Sequence, residues 1–145
     1  MSLSFCLRPY VCVLLGAVAC LLGAVAAGAA ELDWNSVADV EEVLVVTTNE
    51  DGTPRETTIW LAVVDDQGYI RTGGWTKWGD NVVRNPDIAL RIGDTEHPLR
   101  ASFVEDVALR ERIVAAFREK YGRVDGFLNV FRGSKPLIMR LDPRN

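Results

Sequence analysis

One short stretch of this sequence collects side chains able to hold an anion. Tyr69-Ile70-Arg71-Thr72 has the β-branched and aromatic content of a strand, Gly73-Gly74 interrupts it, and Thr76, Lys77, Trp78 and Asn81 follow before Asn85-Pro86. Thr76 is a good N-cap for a helix running to about Arg84, where the Asn-Pro pair stops it. That cap puts Lys77 in the first helical turn, where the unpaired backbone N–H groups disfavour a cation by roughly a few tenths of a kcal/mol. An anion bound there reverses the sign. A phosphate could take hydrogen bonds from the first-turn N–H groups, the Thr72 and Thr76 hydroxyls, Lys77 and Arg71. A plainer alternative stands beside this one: Lys77 as a solvated lysine, Arg71 as a rim charge and Gly73-Gly74 as an ordinary hairpin turn.

A second polar and aromatic group, Arg55, Thr57, Thr58 and Trp60, lies on the strand before. If the two strands are antiparallel neighbours, both groups come within reach of one ligand with an anionic end and a flat end. Other chemistries lack their parts. His97 is the single histidine, so no Ser-His-Asp or Cys-His device can be assembled, and a metal would need carboxylates alone. The acidic pairs Glu50-Asp51, Asp65-Asp66 and Glu105-Asp106 sit where turns and caps are expected. No glycine-rich dinucleotide fingerprint, Walker loop or His-Glu-x-x-His occurs.

The elements that must position these residues follow from pattern. Asp33 can cap a short helix to about residue 42, with Trp34, Val37 and Val40 at helical spacing. Residues 43–49 form a strand, Glu50-Asp51-Gly52 a hairpin turn, and 55–64 its partner. Asp65-Asp66-Gln67-Gly68 turns the chain into 69–72. After the short helix come strands at 88–92 and 98–104, the second with Leu99, Ala101 and Phe103 facing inward. Asp106 caps a long helix over 107–121 that Gly122 closes, with Ile113, Val114, Phe117 and Tyr121 on one stripe. The segment 123–134 suggests a helical turn, and 137–141 is the last strand. Six short strands joined mostly by hairpins predict a mostly β, α+β domain: a six-stranded antiparallel barrel with one long and one or two short helices.

The whole chain of 145 residues has room for one such domain. Arg8 is the only charge in residues 1–30, so 31–145 carry 15 basic and 20 acidic side chains. An acidic domain without a basic run argues against general nucleic-acid binding. The first 30 residues form a separate segment. The stretch 10–30 is uncharged and ends in Ala27-Gly28-Ala29, a small-x-small cleavage pattern, which predicts an export signal. A retained membrane anchor is the competing reading, because about 20 apolar residues can span a bilayer. Lipidation at Cys20 is a third. Cys6, Cys12 and Cys20 all lie in this segment, so the domain that follows has no thiol chemistry and no disulfide.

Four fragments, taken in order, resemble a known family. Pro54-Arg55-Glu56-Thr57-Thr58-Ile59-Trp60, Tyr69-Ile70-Arg71-Thr72, Thr76-Lys77-Trp78 and Asn85-Pro86-Asp87-Ile88-Ala89-Leu90 are similar to the flavin-binding split β-barrel superfamily. That group is typified by pyridoxamine 5′-phosphate oxidase and includes deazaflavin-dependent reductases. Lys120-Tyr121-Gly122 and Arg140-Leu141-Asp142-Pro143 extend the likeness. The resemblance implies a homodimer with FMN, or alternatively a deazaflavin coenzyme, at the subunit interface. It matches Thr72, Thr76 and Lys77 to the phosphate, and Thr57, Thr58, Ile59 and Trp60 to the strand whose backbone runs beside the isoalloxazine ring. Arg55, Arg71, Trp78 and Asn81 complete the expected cofactor-binding set. The cofactor would carry out hydride transfer on a small-molecule substrate, so no catalytic side chain is assigned. The histidine and arginine that hold substrate in pyridoxal-phosphate-forming members have no recognisable counterpart, so vitamin B6 oxidase activity is not implied. The expectation is an exported flavin- or deazaflavin-binding oxidoreductase; the alternative is a non-catalytic split-barrel module that binds a ligand or partner.

Overall fold

The computed structural model describes residues 31–73, 75–128 and 136–144. The apolar segment expected to direct export or anchor the chain lies outside the described residues, as does the end of the stretch between the long helix and the last strand. In chain order the elements are β1 (Glu42–Thr48), β2 (Pro54–Trp60), β3 (Ala62–Val64), β4 (Gln67–Thr72), α1 (Lys77–Arg84), β5 (Asp87–Ile92), β6 (Thr95–Phe103), α2 (Val107–Leu128) and β7 (Leu137–Pro143). The fold is the expected antiparallel α+β architecture.

It has seven strands where six were expected. The single strand read over 55–64 divides at Leu61 into β2 and β3. The strand order in the sheet is β2-β1-β5-β6-β7-β4-β3, so these two pieces stand at opposite ends of it. Because only Leu61 separates them in the chain, the sheet has to curl until its ends meet, and the curl makes a barrel. Turn chemistry sets the register. Asp65 and Asp66 both have positive φ, 51° and 58°, the type I′ geometry whose twist matches the β3 and β4 strands it joins.

The barrel has an inner and an outer apolar layer. Val45, Leu61, Ile70, Leu90 and Leu141 fill the interior, and the alternation of each strand sends their neighbours outward. On the outside, Ile113 and Phe117 of α2 cover Tyr69, Ile138 and Ala62, which is the apolar stripe read from the sequence. Asp106 caps this helix by accepting the Leu109 N–H at 2.7 Å. The helix breaks at Gly122, where φ 53° and ψ −127° suit only glycine, and then resumes to Leu128.

Two further expectations change. The helix expected after Asp33 is a single 3-10 turn, Asn35–Val37. Asp33 ties itself to Asn35 and Ser36 locally, and the Ala38 and Val40 carbonyls that a helix would need are taken by Lys120. The Trp34 ring lies directly over Gly68, where a Cβ would come within 2.2 Å of Cζ3. Phe103 keeps the inward alternation of Leu99 and Ala101 but is 44% exposed. It ends β6 beyond the enclosed interior, on the rim of an open groove shared with Leu109, Arg140 and Asp142.

Candidate functional site

Helix α1 forms where it was expected, and its start is built by two threonines. Thr76 takes extended geometry (φ −91°, ψ 138°) and accepts the Gly79 N–H at 3.2 Å, while the Asp80 N–H reaches the Thr76 carbonyl. The Thr72 and Thr76 hydroxyls bond to each other. Thr72 Oγ1 also lies 3.0 Å from the Gly73 carbonyl, so Thr72 can donate there while Thr76 donates to Thr72. Trp78 and Val82, four apart, turn one side of α1 into the barrel interior. Gly79 lets the helix sit hard against β4: a Cβ there would lie 2.8 Å from Thr76 Oγ1 and 3.0 Å from Thr72 Oγ1. Lys77 is exposed. It has no ion-pair partner among the described residues, and Asp80 places one carboxylate on the same turn.

A polar network fixes the other end of α1. Asn81 is buried, and its amide donates to Thr47 Oγ1 at 3.1 Å and Asn49 Oδ1 at 3.0 Å while its oxygen accepts from Arg84 at 2.8 Å. Arg84 also reaches the Thr48 carbonyl at 3.3 Å. Arg55 Nε donates to the same Asn49 Oδ1 at 3.1 Å, so Arg55 stands beside Asn81. The ladder pairs Thr47 with Arg55 and Val45 with Thr57. Extending the β3–β4 register, which pairs Ala62 with Tyr69, past Leu61 sets Thr72 level with Ile59. By strand alternation Arg55, Thr57, Ile59 and Thr72 face one side of the sheet, the side on which α1 sets Trp78 and Asn81 against the core and β1.

The remaining three expected residues belong to the other side. Thr58, opposite Leu44, is exposed on the outer face. Trp60 stacks on Tyr121, with ring centroids 4.3 Å apart and planes 5° from parallel. Arg71 lies with its guanidinium carbon 4.4 Å from the centre of the Phe117 ring and 5.9 Å from that of Trp60. Burial lowers the Arg71 pKa from its ordinary value. Arg71 and Thr72 are sequence neighbours on a strand, so they point to opposite faces, and the sheet separates Arg71 from the threonine pair. Of the inner group, Ile59, Thr72, Trp78 and Asn81 are buried. Ile59 and Trp78 pack in the core, Thr72 is bonded to Thr76 and the Gly73 carbonyl and Asn81 has its hydrogen bonds filled, so Arg55, Thr57, Thr76 and Lys77 remain to meet a ligand with their side chains.

Sequence reasoning placed Lys120 and Tyr121 in the likeness but gave them no bonding role. Lys120 Nζ donates to the carbonyls of Ala38, Val40 and Leu61 at 2.7, 2.6 and 2.9 Å. Tyr121 Oη accepts the Leu61 N–H at 3.1 Å and lies 2.6 Å from the Glu41 carbonyl. Burial lowers the Lys120 pKa and raises that of Tyr121. The available signal was a lysine placed next to the apolar stripe, two residues before a helix-breaking glycine.

The curled antiparallel sheet with α2 on its outer face is a split β-barrel fold. Solved structures share it. An F420-H2 dependent reductase superposes with a TM-score of 0.59 at 20% identity, over 71% of this chain and 95% of that one. HutZ, the heme storage protein from Vibrio cholerae, gives 0.60 at 18% identity over 72% and 82%. A pyridoxamine 5′-phosphate oxidase-like protein from Listeria innocua gives 0.54 at 17% identity over 72% and 85%. No curated protein matches the chain in sequence. Residues 33–133 match the family described as "Uncharacterized protein conserved in bacteria (DUF2255)", and the chain belongs to that family.

Proposed function

We propose that this protein binds a flavin-type cofactor, FMN or a deazaflavin, between β2 and the start of α1, and acts as an oxidoreductase on a small molecule. The observation that carries the reading is the first turn of α1. Its capping threonine is tied to Thr72, Gly79 leaves no side chain in the way, and an exposed lysine sits among N–H groups at the positive end of the helix. The donor set fits a phosphate. Capping uses the Gly79 N–H, and the N–H groups of Lys77 and Trp78 have no acceptor among the described residues. The Thr76 hydroxyl can turn its proton from Thr72 to an incoming oxygen. Arg55, engaged through its Nε alone among the described residues, adds a second cation on the same side. Thr57 and the β2 backbone would flank the flat ring, which supplies the hydride chemistry once bound.

The proposal includes a homodimer. Trp75 just before α1 and Val83 on it, 60% and 59% exposed, give a second copy apolar surface to cover. It also includes export, or anchoring, through residues 1–30.

Titration with FMN and with a deazaflavin coenzyme tests the reading. Binding should quench the cofactor's fluorescence and leave the purified protein yellow. A colourless protein that takes up neither refutes it and favours a ligand-binding module without redox turnover.

A further inference from the structure

The last turn of α2 before Gly122 grips the barrel at the residue where its sheet closes. Leu61 lies between β2 and β3, so its N–H and C=O fall outside both ladders. Two adjacent side chains of α2 take them. Tyr121 Oη accepts the N–H, and Lys120 Nζ donates to the carbonyl. The same two groups reach the lead into β1, with Lys120 on the Ala38 and Val40 carbonyls and Tyr121 on that of Glu41. Three ammonium protons meet three carbonyls, and no carboxylate is among the acceptors. Burying an ammonium is costly unless its donors are filled, and here they are filled by backbone from two segments far apart in the chain.

The grip extends to the neighbouring side chain. Glu42 pairs with Trp60 where the β1–β2 ladder begins, and the Trp60 ring lies flat against Tyr121. The backbone at 61 and the ring at 60 are thus held by one helical turn, and the inner-face residues Thr57 and Ile59 follow from them along a strand of fixed pleat.

We infer that Lys120 and Tyr121 are positioning residues for the cofactor, acting from the outer face to hold the end of β2 in the place where its inner face meets the ring. The inference rests on the cofactor reading above. Three variants test it: Tyr121→Phe, which keeps the ring stack and removes one oxygen, Lys120→Met, and Lys120→Arg. In the full protein, amide exchange across β2 and Leu61 should quicken about tenfold in Tyr121→Phe and Lys120→Met, as expected for losing one net hydrogen bond. FMN affinity should fall by a comparable factor. Lys120→Arg should recover part of both. The visible circular dichroism of the flavin at saturation should also differ from wild type, because a displaced strand alters the ring's surroundings even when every site is filled, and a simple loss of stability does not.

Unchanged exchange on β2, or a wild-type affinity and flavin spectrum in both Tyr121→Phe and Lys120→Met, overturns the inference while leaving the cofactor reading in place. A wild-type protein that binds no flavin or deazaflavin overturns both. Should Lys120→Met fail to fold, Tyr121→Phe decides alone.

Discussion

Replacing Gly79 with alanine sets two effects of opposite sign against each other. In an ordinary helix interior, alanine is favoured over glycine by about 1 kcal/mol. At this position the new methyl would stand 2.8 Å from Thr76 Oγ1, 2.9 Å from Thr72 Cγ2 and 3.0 Å from Thr72 Oγ1. All three atoms belong to short side chains tied into the helix cap, so α1 has to lift away from β4. Overpacking of this kind costs about 1–3 kcal/mol, and losing the Gly79 N–H to Thr76 bond adds about 1 kcal/mol. The sum favours glycine, with a net destabilisation of about 1–3 kcal/mol. At a denaturant slope of about 2 kcal/mol per molar, the urea midpoint should fall by roughly 0.5–1.5 M with the slope unchanged. Thr72→Ser, which removes the methyl at 2.9 Å, should recover part of the loss when combined with Gly79→Ala, and a double-mutant cycle isolates that coupling. A Gly79→Ala protein more stable than wild type would refute the close seating of α1 on Thr72.

Three further outcomes are expected. Gly68→Ala would force a methyl into the Trp34 ring and should cost about 2–4 kcal/mol in urea unfolding, with less cost in a Trp34→Leu background; equal costs in both backgrounds would disprove the contact. Lys77→Ala, at an exposed position without an ion pair among the described residues, should weaken FMN or deazaflavin binding by about 1.5–3 kcal/mol and leave the unfolding midpoint unchanged, so unaltered affinity would remove Lys77 from the site. The phenols of Tyr69 and Tyr121 are both raised above 10.0, chiefly by burial. The unfolded chain then loses those protons first, so their stabilisation is complete below about pH 10 and is lost as the pH climbs through the folded values. Urea midpoints on either side of pH 10 should show the decline, and Tyr121→Phe should flatten it; an identical slope in that variant would contradict the assignment.

Much of the architecture was readable in the residues because local chemistry dictated it. Thr76, Asn85 and Pro86 bound α1, Asp106 and Gly122 bound the first part of α2, and the turns at Gly52, Asp65 and Gly93 separate strands whose alternation gives their faces. What could not be read from periodicity was the division at Leu61. Nothing in Thr-Ile-Trp-Leu-Ala-Val marks a break, because it comes from the closure of the sheet and from two side chains sixty residues later. The short helix after Asp33 failed for the same reason, since Lys120 takes its carbonyls. The candidate site was grouped by sequence proximity, which places Arg71 next to Thr72; a strand's pleat separates them, and Arg71 joins Trp60 outside. Lys120 and Tyr121 were noticed only as part of a likeness, because their acceptors are backbone atoms and leave no residue-type signal.

The place of β7 in the sheet has a consequence for how the chain acquires its shape. This strand, the last in chain order among the described residues, is hydrogen-bonded between β6 and β4. A ribosome that has delivered everything through α2 has therefore released a cylinder with a missing stave, whose β4 and β6 edges stay open until residues 137–143 emerge. Contacts of such long sequence separation make for slow folding, and open edges invite pairing with other chains. Until β7 takes its place, the nascent protein is accordingly exposed to aggregation through those two edges.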